Sequence, residues 1–273
     1  MTSRPSVATP IVSVIVPHFG TSAAWLHRAV QSIVAQTLTD IEIHVVDDAS
    51  PDDGWRDGVM PFAADRRLTV WRTSQRVGHY RITNRMLDVI RGRYVAFQDA
   101  DDWSHPDRLR RQVDFSRAHK AHIVGCSFMY VDERGVTLRE KAMVRNVNLW
   151  IRLPRHFLLL HPTTVNDVAV MRELGGFDGT AFVAADDDFM LRAVHRHRIR
   201  NLTESLYFYR LHAAQLTQAR DTGMGSIQRS AYTQEMLQRD RERWRYKRWW
   251  SRATPESLRA RPNDMTFDLA RLT

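Results

Sequence analysis

Three carboxylates fall close together near the middle of the chain. Asp99, Asp101 and Asp102 follow the apolar run Val95–Phe97, which is typical of a buried strand. Like charges at such a place repel one another and are costly to remove from water. A divalent cation would offset that charge, and carboxylate oxygens are the ligands that Mg²⁺ and Mn²⁺ prefer. The spacing therefore predicts a metal site, against the simpler interpretation that these acids cap the following helix.

Two further groups of acids could do chemistry. Asp47 and Asp48 end another apolar run, and Asp186, Asp187 and Asp188 begin a helical pattern. Adjacent acids raise the pKa of one another, which would suit a general base. A turn at the first group and an acidic helix start at the second are the simpler interpretations.

The elements around the acids alternate between strand and helix patterns. Strand-like apolar runs occupy residues 11–19, 41–50, 67–73 and 93–102. Helical spacing at 24–37 and 79–92, the second ending at a possible C-cap glycine, separates them. This alternation predicts an α/β fold with a mostly parallel central sheet and helices on both faces. Ligands bind such sheets at the carboxyl ends of the strands, where Asp48, Asp99 and Asp101 fall.

The C-terminal part differs in composition from the rest. Residues 228–253 predict one basic helix that carries Tyr232, Trp244, Tyr246, Trp249 and Trp250. Packing against the domain, dimerisation and contact with an anionic membrane surface all fit this pattern. The histidines His18, His44, His79, His119, His122, His195 and His197 are interpreted as solvated surface residues.

Composition excludes several classes of protein. The chain has 273 residues, a formal net charge of +9 and one cysteine, so it has no disulfide framework or cysteine metal cluster. No apolar run approaches the roughly 20 residues of a membrane span, and no signal-peptide pattern begins the chain. These features predict a cytoplasmic protein in a reducing compartment. The charge leaves nucleic acid, membrane and phosphorylated substrates open, although no nucleic-acid motif accompanies it.

Six segments, in order, resemble the family 2 glycosyltransferases, which have the GT-A fold. They are VSVIVPHFG at 12–20, VVDDAS at 45–50, NRMLDVIRGRYVAFQDADDW at 84–103, ELGGFD at 173–178, ADDDFMLR at 185–192 and YRLH at 209–212. The resemblance implies inverting transfer of a sugar from a nucleotide diphosphate-sugar to an acceptor hydroxyl, with Mn²⁺ or Mg²⁺ as cofactor. It also implies a nucleotide-sugar-binding half at 11–120, an acceptor-binding half at 121–217 and a helical extension at 218–273, after a flexible terminus at 1–10.

The resemblance implies a role for each site residue. The catalytic residues would be Asp186 as general base and Asp188. The metal ligands would be Asp101, Asp99 and His212. The donor-binding residues would be Pro17, Asp48, Arg76, Asn84, Asp99 and Arg210. The acceptor would contact Trp103, Gly176 and Asp187. A carboxylate at Asp48 can accept an imide N–H, which favours uracil or thymine, with UDP as the expected nucleotide. Arg210 and His212, two apart in a strand pattern, are expected to face the same side.

The chain departs from the family pattern at two positions. Ala185 stands where a Glu is frequent, and Thr83 stands where an Arg is common, with Arg81 and Arg85 as neighbouring replacements. The Q-x-x-R-W signature of processive synthases is absent, which predicts a non-processive enzyme. The expected acceptor is a glycan or a lipid-linked glycan, and the C-terminal helix could bring the protein to the inner face of the cell membrane.

Two alternative functions stay open. A sugar-1-phosphate nucleotidyltransferase also uses strand-end carboxylates and a metal, but it needs a glycine-rich loop, and PHFGTS at 17–22 has one glycine. A non-catalytic nucleotide- or carbohydrate-binding module is compatible with Ala185.

Overall fold

The structure is a computed structural model that describes most of the chain. The described residues are 9–151, 157–218, 220–245, 250–251, 253–262 and 266–273. Tyr246, Trp249 and most of the predicted flexible terminus at 1–10 lie outside these ranges.

The elements within the described residues follow the predicted alternation in the first half of the chain. The strands are β1 Val12–His18, β2 Ile41–Asp47, β3 Leu68–Thr73, β4 Tyr94–Phe97, β5 Trp103–Ser104, β6 Ile123–Val131, β7 Thr137–Lys141, β8 Val165–Asp167, β9 Ile199–Arg210, β10 Trp244–Arg245, β11 Trp250–Ser251 and β12 Leu269–Arg271. The α-helices are α1 Ala23–Val34, α2 Arg56–Val59, α3 His79–Met86, α4 Arg108–His119, α5 Val147–Trp150, α6 Val168–Glu173, α7 Ala185–Ala193 and α8 Ile227–Arg243.

One large mixed sheet organises the fold. Its order is β12-β3-β2-β1-β4-β8-β6-β9-β5, and β7 pairs with β6 beside this path. The block β3-β2-β1-β4 is parallel, and β6 is parallel to β9. Strand β8 is antiparallel to both β4 and β6, so it joins the two blocks. The predicted α/β architecture with one central sheet is confirmed, and residues 11–120 and 121–217 both contribute strands to this sheet.

Two apolar cores cover the two faces of the sheet. Val14 and Val16 of β1 pack in one core with Leu26 of α1 and Leu109 of α4. The intervening Ile15 packs in the other core, with residues of α3, α6 and α7. Successive strand residues face opposite sides, so an uninterrupted apolar strand is covered by helices on both faces.

The helix predicted to end at Gly92 is shorter than expected. Helix α3 ends at Met86, and Gly92 does not cap it. The Gly92 N–H donates to the Ser13 hydroxyl at 2.9 Å, and a Cβ on Gly92 would lie 2.6 Å from the Ser13 backbone nitrogen. Glycine is needed here because the backbone passes directly against β1.

The predicted helix at 228–253 is also shorter. Helix α8 ends at Arg243, and Trp244 is extended. The Tyr232 hydroxyl donates to Asp178 at 3.0 Å, and the Trp244 ring packs 4.3 Å from the ring of His195. Packing against the domain thus accounts for these two aromatic residues. No helix among the described residues is long and apolar enough to cross a membrane.

Several histidines are buried, contrary to the surface interpretation. His195 has a fully buried side chain whose Nε2 lies 3.0 Å from Asp240 of α8. His18, His44 and His197 are also buried. The helix and strand patterns could not reveal this, because the covering elements come from distant parts of the sequence.

Candidate active site

A cavity of about 540 Å³ opens at the carboxyl ends of β1, β2 and β4. The predicted site residues that line it are Pro17, Asp48, Arg76, Asp99, Asp101, Asp186 and His212. Parallel strands bring their carboxyl ends to one edge of a sheet, so acids far apart in sequence meet here.

Asp48 is fixed by two backbone amides at the start of α3. Its Oδ1 accepts the Val77 N–H at 2.7 Å, and its Oδ2 accepts the Gly78 N–H at 2.8 Å. Gly78 has a φ of +89°, a conformation that favours glycine. Since a carboxylate oxygen can accept two hydrogen bonds, Oδ2 can also accept a donor from the cavity.

Asp101 and His212 form the closest pair of potential metal ligands. His212 Nε2 lies 2.8 Å from Asp101 Oδ2. The ring of Trp25 packs 4.6 Å from the His212 ring and fixes its orientation. One oxygen each of Asp99, Asp101 and Asp102 also lie within 4.8 Å of one another. These atoms are the oxygen and imidazole donors that Mn²⁺ or Mg²⁺ would take.

Burial and mutual repulsion disfavour the ionised forms of the acids in this cluster. Burial, and then the neighbouring charge of Asp101, raises the pKa of Asp99 to about 8. The same two causes raise the pKa of Asp102 well above its usual range. Asp102 Oδ2 is buried with no hydrogen-bond partner among the described residues. A divalent cation would stabilise the ionised cluster, so the residues present fit a metal site.

Arg210 has a different position from the one predicted. It does not line the cavity. Its Nε donates to the Asp101 backbone oxygen at 2.7 Å, and one of its terminal nitrogens donates to the Glu133 backbone oxygen at 2.5 Å. Strand β9 ends at Arg210, so strand alternation does not continue to His212. Arg210 therefore holds the Asp101 loop instead of facing a diphosphate.

Asp186 lies on the cavity wall at the first turn of α7. The Tyr80 hydroxyl of α3 donates to its Oδ1 at 2.5 Å, which leaves Oδ2 for another partner. Asp188, two residues further along the same acidic run, is buried in an ion pair with Arg192 at 2.7 Å and does not line the cavity. Asp187 lines a small cleft beside the cavity.

Asn84 and Gly176 contact each other instead of the cavity. The Asn84 side chain donates to the Phe177 backbone oxygen and accepts its N–H, both at 2.8 Å. Gly176 has a φ of +70°, and a Cβ there would lie 2.2 Å from Asn84 Oδ1. Asn84, predicted to bind the donor, and Gly176, predicted to contact the acceptor, thus together fix the turn that follows α6.

Trp103 also lies away from the cavity, as do Arg81 and Arg85, the arginines on either side of Thr83. The Trp103 ring stacks on the ring of Phe208 at 5.0 Å between centroids, and the Arg28 guanidinium carbon lies 3.4 Å from the Trp103 ring centroid. Arg81 donates to backbone oxygens, and Arg85 pairs with a surface aspartate. None of the three is among the lining residues.

Several lining residues were not predicted from the sequence. They include Trp25, His79, Tyr80, His161, Phe182 and Arg229. Burial lowers the pKa of His79 and of His161 to about 4, so both rings are neutral near pH 7. Arg229 comes from α8, and no local pattern in the sequence links it to the strand ends.

The raised pKa of Asp187 can be tested through the pH dependence of stability. Burial, and then the charge of Asp186, raises the pKa of its carboxyl to about 7. An unfolded Asp releases its proton at about pH 4, so the unfolding free energy contributed by this group falls as the pH rises from about 4 to 7. We expect Asp187→Asn to gain stability over the wild type between pH 5 and pH 7, with no further gain above. Urea denaturation at pH 5, 7 and 8.5 measures this, and a difference independent of pH would contradict it.

Comparison with known proteins identifies the family. The chain matches the model described as "Glycosyl transferase family 2" over residues 13–173, more than half of its length. The chain belongs to glycosyltransferase family 2. This family 2 glycosyltransferase is 23% identical over 209 residues to the uncharacterized glycosyltransferase MJ1057 of Methanocaldococcus jannaschii, covering 74% of this chain and 71% of that protein.

Two further proteins are similar to parts of this glycosyltransferase. WfaP of Escherichia coli, named a UDP-Glc:alpha-D-GlcNAc-diphosphoundecaprenol beta-1,3-glucosyltransferase, is 29% identical over 110 residues, covering 40% of this chain and 43% of WfaP. The crystal structure of S. aureus TarS 1-349 in complex with UDP superposes with a TM-score of 0.62 and 23% identity, covering 74% of this chain and 61% of that one. The TarS likeness shows the GT-A fold. The chain spans less than two thirds of either protein.

Proposed function

We propose that this family 2 glycosyltransferase carries out inverting, non-processive transfer of a sugar from a UDP-sugar to a hydroxyl of a glycan or glycolipid. UDP is supported by its presence in the TarS structure and by the donor in the name of WfaP. A glycolipid acceptor is supported by the lipid-linked acceptor in the same name.

The donor would occupy the strand-end side of the cavity. Asp48 would accept the uracil imide N–H on its free lone pair, beside Pro17, and Arg76 stands at the same side over the ring of Phe19. Asp101, Asp99 and His212 would hold Mn²⁺ or Mg²⁺, which supplies positive charge for the leaving diphosphate when bound. Arg210 and Trp25 would keep these ligands in position.

The acceptor would be activated at the opposite wall. The Tyr80 hydroxyl occupies Oδ1 of Asp186, so Oδ2 would accept the proton of the attacking hydroxyl. Attack from this side, with the diphosphate leaving toward Asp101, inverts the configuration at the anomeric carbon. Asp188 has no part in the proposed reaction, since its carboxylate is committed to Arg192.

One observation carries the proposal: a base candidate fixed by a neighbouring hydroxyl and a carboxylate–imidazole pair line the same cavity. UDP release from a panel of UDP-sugars, with Mn²⁺ or with EDTA, tests it. We expect metal-dependent release from at least one donor, faster with acceptor present. If no UDP-, GDP- or dTDP-sugar were turned over, the non-catalytic binding module would replace the proposed enzyme.

A further inference from the structure

Residues 214–217 and Arg229 line the cavity, and together with Thr222, Met224 and Ile227 they are called the rim here. Internal hydrogen bonds connect its two ends. The Thr222 hydroxyl donates to the Leu216 oxygen at 2.7 Å, and the Met224 N–H donates to the Thr217 oxygen at 3.0 Å. Arg229 then donates from Nε to the Thr222 oxygen at 3.0 Å. These bonds keep Leu216, Met224 and Arg229 on one local surface.

Arg229 presents an uncommitted cation to the cavity. Its guanidinium makes one hydrogen bond among the described residues, through Nε, so the two terminal nitrogens are available. Arg76 and Arg229 are the arginines among the described lining residues, and Arg76 lies at the donor side. Arg229 lines the cavity together with His79, Tyr80 and Asp186, the residues of the proposed acceptor side.

The same rim exposes apolar side chains. Ile227 is 89% exposed, Met224 is 71% exposed and Leu216 is 45% exposed. Leu216 lines the cavity, Met224 is bonded to the lining residue Thr217, and Ile227 lies two residues before Arg229. Exposed apolar side chains placed beside a cavity in this way offer a contact surface for an apolar partner. An arginine beside them adds a site for a phosphate, which it can bind through two parallel N–H donors.

We propose that this rim binds an acceptor sugar linked through phosphate to a lipid chain. The phosphate binds the terminal nitrogens of Arg229, the lipid chain lies on Leu216, Met224 and Ile227, and the sugar extends into the cavity toward Asp186. The assignment rests on the proposed transferase function, because it places the acceptor hydroxyl at the base. It explains why the C-terminal extension, which packs on α7, contributes a charged side chain to the cavity.

Calorimetric titration of farnesyl phosphate into the full chain, saturated with UDP and Mn²⁺, tests the inference. UDP binding is measured first for every variant, so failure of the donor site is seen separately. We expect wild type to bind farnesyl phosphate more tightly than farnesol or inorganic phosphate. Arg229→Gln should weaken that binding about 10- to 100-fold, as for loss of a charged hydrogen-bond pair. Arg229→Lys should retain part of it.

Two controls separate the contributions of charge and lipid. Arg220→Gln removes an exposed arginine of the same segment that does not line the cavity, and should bind like wild type. Met224→Ser with Ile227→Ser should weaken farnesyl phosphate but leave inorganic phosphate unchanged. Equal binding by wild type and Arg229→Gln would overturn the inference. So would farnesol or inorganic phosphate binding as tightly as farnesyl phosphate, since either would show that one half of the ligand suffices.

Discussion

Replacement of Asp186 by Asn should reduce sugar transfer about 10²- to 10⁴-fold, the contribution typical of a general base. The amide keeps the size of the side chain and can still accept the Tyr80 hydroxyl, but it cannot take the acceptor proton. UDP binding should stay within about twofold of wild type, because the donor contacts lie on other elements. Steady-state rates and UDP titration on the same preparation measure the two effects.

Asp187→Asn is the matched control for the position of the base. The two acids are adjacent on α7, but Asp187 does not line the cavity. We expect it to retain most of the transfer rate. A large loss with Asp187→Asn and a small one with Asp186→Asn would move the base by one residue and reject the role assigned to Asp186.

Replacement of Arg192 by Met should lower the free energy of unfolding by about 3–5 kcal/mol, as when a buried ion pair loses one partner. Arg192 is 1% exposed. Its guanidinium donates to Asp188 at 2.7 Å and to the backbone oxygens of Leu174 and Gly176 at 2.8 and 2.7 Å. It also donates to the Leu258 backbone oxygen at 3.2 Å, so its loss leaves a buried carboxylate and three backbone oxygens without this partner. Urea denaturation measures the change.

Two further variants show how much of the stability loss in Arg192→Met comes from the buried ion pair. Arg85→Met breaks an exposed helix pair with Asp88 and should cost less than about 1 kcal/mol. After Arg192→Met, the buried Asp188 carboxylate would keep the partly exposed Arg239 as its remaining ion-pair partner among the described residues, at 3.3 Å. Asp188→Asn combined with Arg192→Met removes this carboxylate charge and should be more stable than Arg192→Met alone. If Arg192→Met were as stable as Arg85→Met, the buried ion pair would not have the structural role described here.

The strand ends could be predicted from the sequence because their signal is local. An apolar run followed by acids identifies both the strand and its carboxyl end, and parallel pairing then brings Asp48, Asp99 and Asp101 together. His212 was predicted to be a ligand from the resemblance. It does lie beside Asp101, but the strand whose alternation was used to place Arg210 with it ends two residues before His212.

The remaining contacts depend on tertiary structure. Asn84 and Gly176 meet across 92 positions, and no periodic pattern relates α3 to the turn before α7. Tyr80 lies in an ordinary helical pattern of the sequence, and only the fold brings its hydroxyl against Asp186. Arg229 belongs to helix α8. The basic and aromatic residues of that helix fit packing against the domain, dimerisation or membrane contact, and nothing in their pattern predicts that one of them lines a cavity.

The most direct test of the central claim is calorimetric titration of UDP with Mn²⁺ or with EDTA, on wild type and Asp101→Ala. The proposed site predicts that wild type binds UDP with Mn²⁺, and that EDTA or Asp101→Ala weakens this binding by at least about tenfold, as for loss of a metal-bridged phosphate contact. Equal binding of UDP by both proteins in both conditions would show that Asp101 and the metal do not hold the diphosphate. It would contradict the metal-dependent donor site.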